Sequence, residues 1–203
     1  MNTLTVGIVD YGMGNHASVV HCMRELGFRV RVSKVPAELD RVEVLILPGV
    51  GAFPMAMRAL RERGLEAYLQ EQGRLQRPII GICLGMQLLA GASSEYEYTK
   101  GLDLIPGEFV PFQGGAWHIG WNDIACAPSD SLLAPSDKAC FYFNHSYLFQ
   151  GEARYQAATT LHGQTFASII RNGSTIGLQF HPEKSQKAGH ALLHKLITGM
   201  RHA

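Results

Sequence analysis

Cysteine is scarce in these 203 residues, and no two of Cys22, Cys83, Cys126 and Cys140 form a C-x-x-C pair or stand at zinc-ligand spacing beside a histidine. Each is therefore read alone, outside any disulfide framework or metal motif. Excess charge is missing too. Eighteen Lys and Arg balance 17 Asp and Glu, a formal net charge of +1, which leaves no electrostatic footprint for nucleic acid or an anionic membrane. Long apolar runs are absent, since "VEVLILPGV" (42–50) is far too short to cross a bilayer. The opening "MNTLTVGIVD" has no basic segment or cleavage site and reads as a first strand, so the expected compartment is the cytoplasm. No repeat, low-complexity tract or long linker divides the chain.

The 46% hydrophobic content suits one compact domain over residues 1–203 with a full core. β-rich runs alternate with helical spacing as far as residue 100. "TVGIVD", "FRVRVSK", "VEVLILP" and "RPIIGIC" read as strands, and "HASVVHCMRELG", "FPMAMRALRERGLEAYLQEQG" (interrupted at Gly64) and "LGMQLLAGA" as helices. This predicts an α/β fold with an open, mostly parallel, helix-flanked sheet, flavodoxin-like in plan. After residue 100 short β-rich runs such as "FYFNHSYLF" and "TFASIIR" predict extra antiparallel strands on the same core. "SQKAGHALLHKLITGM" predicts a closing amphipathic helix.

The chemistry centres on "GICLG" (81–85), a G-x-nucleophile-x-G string between a strand and a helix. Glycines flank a turn too sharp for side chains. The turn lifts Cys83 into the crevice at the strand ends. A helix N-terminus favours its thiolate, and the Leu84 amide can donate to an oxyanion. A small core cysteine is the alternative. In "QFHPEKS" (179–185), Pro182 keeps His181 extended, so His181 and Glu183 share a side as base and orienter. A strand-end turn with a solvated glutamate is the alternative. "LPGVGAF" (47–53) could turn amides around Val50 and Gly51 toward an oxyanion, or be an ordinary strand-to-helix turn.

Other candidates are weaker in kind. His145 in "NHSY" is a possible base without a neighbouring carboxylate. His190 and His194 have the i, i+4 spacing of a metal pair but no third ligand, so no metal is expected. His16, His21, His118 and His162 read as ordinary side chains. "DYGMGN" (10–15) is not G-x-G-x-x-G and no P-loop lysine follows it, so no nucleotide cofactor is expected.

Taken with "IGWN" (119–122), "YFNHSY" (142–147) and "GLQFHPEKS" (177–185), these strings resemble the class I, or triad, glutamine amidotransferases. Within them the chain is most similar to HisH, the glutaminase subunit family of imidazole glycerol phosphate synthase. The resemblance implies hydrolysis of glutamine through Cys83, His181 and Glu183, with Val50, Gly51 and Leu84 around the oxyanion. It implies glutamine contacts at Gly51, Gln87, Glu95, Ser146 and Tyr147. It also implies a heterodimer with a HisF-type (β/α)8 cyclase that receives the ammonia, meeting it at Trp121, Asn122, Tyr142 and Lys184. Three stretches depart from the family pattern: the extra residues of "VPFQGGAWHIGWND", Asn144, and "SSEYEYTKGLDLIPGEF". A paralogue supplying ammonia for sugar amidation in surface-polysaccharide synthesis, a cysteine peptidase or esterase, and an inactive interaction module remain open at this point.

Overall fold

The computed structural model describes residues 4–127 and 130–200. The first half alternates as its periodicity predicts: β1 (Thr5–Val9), α1 (His16–Glu25), β2 (Arg29–Ser33), α2 (Pro36–Leu39), β3 (Val44–Gly49), α3 (Phe53–Glu62), α4 (Leu65–Arg74), β4 (Ile79–Cys83) and α5 (Leu84–Leu88). Gly64, at φ +67°, separates α3 from α4 in a conformation that side chains resist. The second half is built from strands: β5 (Ala90–Ser93), β6 (Thr99–Lys100), β7 (Ile105–Pro111), β8 (His118–Asp123), β9 (Ala125–Cys126), β10 (Cys140–His145), β11 (Tyr147–Gln150), β12 (Gln156–His162), β13 (Gln164–Asn172) and β14 (Thr175–Leu178). Helix α6 (Gln186–Gly199) closes the chain.

Eight strands form the main sheet in the order β2-β1-β3-β4-β14-β13-β12-β9. It is parallel from β2 through β14 and antiparallel beyond. Every residue of β3 and β4 is buried, as befits strands covered on both faces. One face carries α1 and α6, packed on Val6, Ile8, Ile46, Ile80 and Ile82. The other carries α2, α3 and α4 on Val9, Leu45, Leu47 and Ile79. Two smaller sheets, β10-β8 and β11-β7-β5-β6, lie against the antiparallel strands β12 and β13. No described helix is long and apolar enough to cross a membrane.

One local expectation is corrected. The helix after Cys83 stops at Leu88 rather than running on through Ala92. The carbonyls of Leu88, Leu89 and Ala90 accept the amides of Leu102, Leu104, Ile105 and Asp103 instead of continuing a helical ladder. "FYFNHSYLF" is cut at Ser146 into strands of two different sheets, β10 pairing with β8 and β11 with β7.

The parallel strands bring three chain ends to one edge. Gly49 lies opposite Cys83 in the β3–β4 ladder, and Leu178 lies opposite Ile82 in the β14–β4 ladder. The segment leaving β14 therefore delivers His181 beside Cys83.

Candidate active site

Cys83 ends β4 with φ 54° and ψ −113°, a conformation costly for a side-chain-bearing residue. The flanking glycines have a different role from the turn itself. A Cβ on Gly85 would overlap the Leu47 carbonyl of β3, and one on Gly81 would stand 2.6 Å from the Gly85 carbonyl oxygen. Glycine at both places lets α5 pack directly on β3 and β4 while the strain falls on the cysteine. Cys83 is 8% exposed, and its Sγ lies 3.9 Å from the Asn144 carbonyl oxygen.

His181 Nδ1 lies 2.8 Å from Glu183 Oε1, and both side chains are buried. A carboxylate accepts, so Nδ1 donates and Nε2 is the nitrogen left for Cys83, which lines the same cleft. Burial alone would depress the imidazole's pKa. Hydrogen bonds and charge from Cys83 and Glu183 outweigh it and push the value up to about 10. The turn is anchored from below. The His181 amide donates to the Tyr142 carbonyl at 2.8 Å, and Ser185 Oγ donates to the His181 carbonyl at 2.6 Å while accepting the Tyr142 amide at 3.0 Å. Ser185 drew no attention in the sequence; its role depends on β10 and the turn after β14, which meet only in the fold.

Above this pair lies a cleft of about 370 Å³. It gathers Val50 and Gly51 from the β3–α3 turn, Leu84 and Gln87 from α5, Glu95 from the loop after β5, and Ser146 and Tyr147 from the β10–β11 junction. Tyr96, Trp117 and Asn144 also line it, three residues from the stretches that depart from the family pattern. Gly51 has φ +99°, open to glycine and resisted by other residues. Gln87 Nε2 donates to Gln179 Oε1 at 3.4 Å, at the floor of the cleft. Glu95 is half-buried, and burial raises its pKa against the lowering effect of the Phe53 amide that it accepts. A roomier depression of about 700 Å³, between Arg61, Lys100 and Asp103, contains none of these groups.

His145 lines the same cleft, but Glu183 pairs with His181, not with His145. Nδ1 of His145 is 2.8 Å from the Tyr147 carbonyl oxygen and Nε2 is 3.2 Å from His118 Nδ1. His190 and His194 face separate partners, the first 3.9 Å from Glu25 and the second packed on the Phe28 ring.

Trp121 and Tyr142 stand opposite each other on the outer face of β8–β10, ring centroids 6.1 Å apart, with exposed Ile119 and Asn144 as the next pair. Lys184 is exposed in the turn that follows His181. Asn122 points the other way, its Nδ2 donating to the Leu161 carbonyl at 3.0 Å.

Comparison with known proteins gives the family. The family model "Glutamine amidotransferase class-I" matches residues 7–198. Imidazole glycerol phosphate synthase subunit HisH of Carboxydothermus hydrogenoformans is 45% identical over 194 residues, covering 93% of this chain and 96% of that one. The HisH subunit of Halalkalibacterium halodurans is 40% identical, covering 93% and 92%. A crystal structure of a glutamine amidotransferase shares the fold at a TM-score of 0.77 and 18% identity, over 98% of this chain and 99% of that one. The chain belongs to the class I glutamine amidotransferases, in the family of imidazole glycerol phosphate synthase subunit HisH.

Proposed function

We propose that residues 1–203 form one glutaminase domain that splits glutamine into glutamate and ammonia for a cyclase partner. The observation that carries this reading is the buried relay Glu183–His181–Cys83 at the floor of a cleft. Cys83 Sγ attacks the side-chain amide carbon as a thiolate. The oxyanion of the tetrahedral intermediate takes hydrogen bonds from the Leu84 amide and from an amide at Val50 or Gly51. His181 Nε2–H protonates the departing nitrogen, which leaves as ammonia from a γ-glutamyl thioester. His181, now neutral, removes a proton from water; the hydroxide attacks the thioester, and glutamate leaves as Cys83 is restored. Glu183 holds the imidazole in the tautomer that both steps need. Gln87, Glu95, Ser146 and Tyr147 are positioned to hold the rest of the amino acid.

Ammonia released into water is protonated and ceases to be a nucleophile, so a glutaminase of this kind needs a receiver. The reading supplies a HisF-type (β/α)8 cyclase, which makes imidazole glycerol phosphate and aminoimidazole carboxamide ribotide in histidine biosynthesis, in the cytoplasm. The exposed Trp121 and Ile119, beside Tyr142 and Lys184 at the edge of the catalytic turn, support docking on the β8–β10 face. The decisive assay uses the complex with such a cyclase. Cys83→Ala abolishes glutamine-dependent synthesis and preserves ammonia-dependent synthesis; loss of both, or of neither, defeats the reading.

A further inference from the structure

Three buried or half-buried side chains form an unbroken hydrogen-bonded chain behind the cleft. Asn122 Nδ2 lies 3.3 Å from His118 Nε2, His118 Nδ1 lies 3.2 Å from His145 Nε2, and His145 Nδ1 lies 2.8 Å from the Tyr147 carbonyl oxygen. The direction of every bond follows from the two ends. The Tyr147 carbonyl can only accept, so His145 Nδ1 carries the proton and Nε2 of the neutral ring accepts. His118 Nδ1 must then donate, and its Nε2 must accept from Asn122. The far end agrees independently: Asn122 Oδ1 already accepts the Asp123 amide at 2.8 Å, which puts the NH2 group toward His118 and the Leu161 carbonyl. Both rings must stay neutral for this chain to exist. Burial holds them so, His145 at about 3 and His118 at about 4, with stacked His162 and nearby His181 also disfavouring further positive charge.

The chain has a place as well as a direction. It begins at the inner side of the β8–β10 face that carries Trp121 and ends at the residue whose backbone forms the wall of the cleft. We propose that His118 is a positioning residue for glutamine: its Nδ1–H is held by the accepting Nε2 of His145 and so ties the Ser146–Tyr147 edge of the cleft to Asn122, behind the β8–β10 docking face. The proposal rests on the glutaminase reading and adds to it a residue that never touches substrate.

Three substitutions dissect it, assayed as glutaminase activity of the complex with the cyclase. His118→Phe keeps the ring packed between Phe143 and His162, whose centroids lie 4.5 and 4.2 Å away, and removes both hydrogen bonds. It raises KM for glutamine about tenfold with kcat changed less than about twofold, the cost of one lost hydrogen bond on a binding edge. His118→Asn places an amide NH2 where Nδ1 stood and returns KM to within about threefold. His118→Gln reaches Asn122 but not His145 and behaves like Phe. An unchanged KM in His118→Phe, or an Asn variant as impaired as Phe, overturns the proposal. Ring-nitrogen NMR of the wild-type chain tests it without turnover: both histidines must be neutral Nδ1–H tautomers at pH 7, and an Nε2–H tautomer or an imidazolium at either refutes it. Absent glutamine turnover by the wild-type complex would sink the glutaminase reading instead, and the NMR result would still decide the chain.

Discussion

Glu95 Oε2 accepts the backbone N–H of Phe53 at 2.7 Å, across 42 residues of chain. Phe53 is the first residue of α3, whose N-cap, Ala52, has no side-chain oxygen to offer. A carboxylate from another loop therefore caps this helix. The same contact holds the end of the Val50–Gly51 turn against the candidate cleft. Glu95→Ala should cost about 1 kcal/mol in urea unfolding, the usual value of a cap. It should also raise KM for glutamine, and Glu95→Gln should recover most of the stability. Wild-type stability in the Ala variant would mean that the cap has no energetic role.

Cys83 carries the strain of its turn, at φ 54°. Glycine accepts that conformation and alanine does not. Cys83→Gly should therefore be more stable than Cys83→Ala by about 1 kcal/mol, the reverse of their usual order. Denaturant midpoints of the two inactive chains check this. Alanine equal to or better than glycine would show that the turn relaxes on substitution.

The parallel half of the fold was legible because β3 and β4 are apolar throughout and α3 is strongly amphipathic, both local signals. The strings that carry Cys83, His181 and Glu183 could be singled out because the chemistry expected of each depends on near neighbours; the fold brings Cys83 and His181 to one cleft and pairs His181 with Glu183. What escaped depends on distance in sequence. The Glu95–Phe53 cap, the Ser185 anchor and the His118–His145 pair join segments that only the sheets bring together. The five-residue α5 escaped for a related reason: its periodic pattern continues through Leu89, but the carbonyls that would extend it are taken by the 102–105 segment. The elbow glycines were recognised with an incomplete reason, since it is the backbone of β3 that excludes a Cβ from Gly85.

His181 is raised to about 10 against an ordinary 6.5, burial being outweighed by Cys83 and Glu183. A raised histidine stabilises the fold fully below pH 6.5, and that contribution fades as pH climbs through the folded value. Unfolding free energy should thus fall between pH 6.5 and 10. Glu183→Gln removes one of the causes, lowers the histidine's pKa and flattens this alkaline limb. It should also reduce kcat about a thousandfold or more while Cys83 remains in place. An unaltered alkaline limb in the Gln variant would mean that Glu183 does not stabilise the imidazolium.

The acid side carries the opposite sign. His145 and His118 are held neutral, at about 3 and about 4, burial being the main cause in each. Unfolded, both titrate near 6.5, so between pH 6.5 and about 4 the unfolded chain binds the extra protons and stability falls as pH falls. His181 adds nothing in this window, because it is protonated in both states below its unfolded value. Each depressed histidine contributes a slope of up to about 1.4 kcal/mol per pH unit. His118→Phe removes one such group and preserves its packing, so the acid limb should become shallower by about one proton even though the variant starts less stable at pH 7. Urea unfolding at several pH values between 4 and 7 reads the slope directly. A parallel displacement of the whole curve, with the wild-type slope intact, would show that His118 is already protonated in the folded chain and that the buried pair does not set the acid limb.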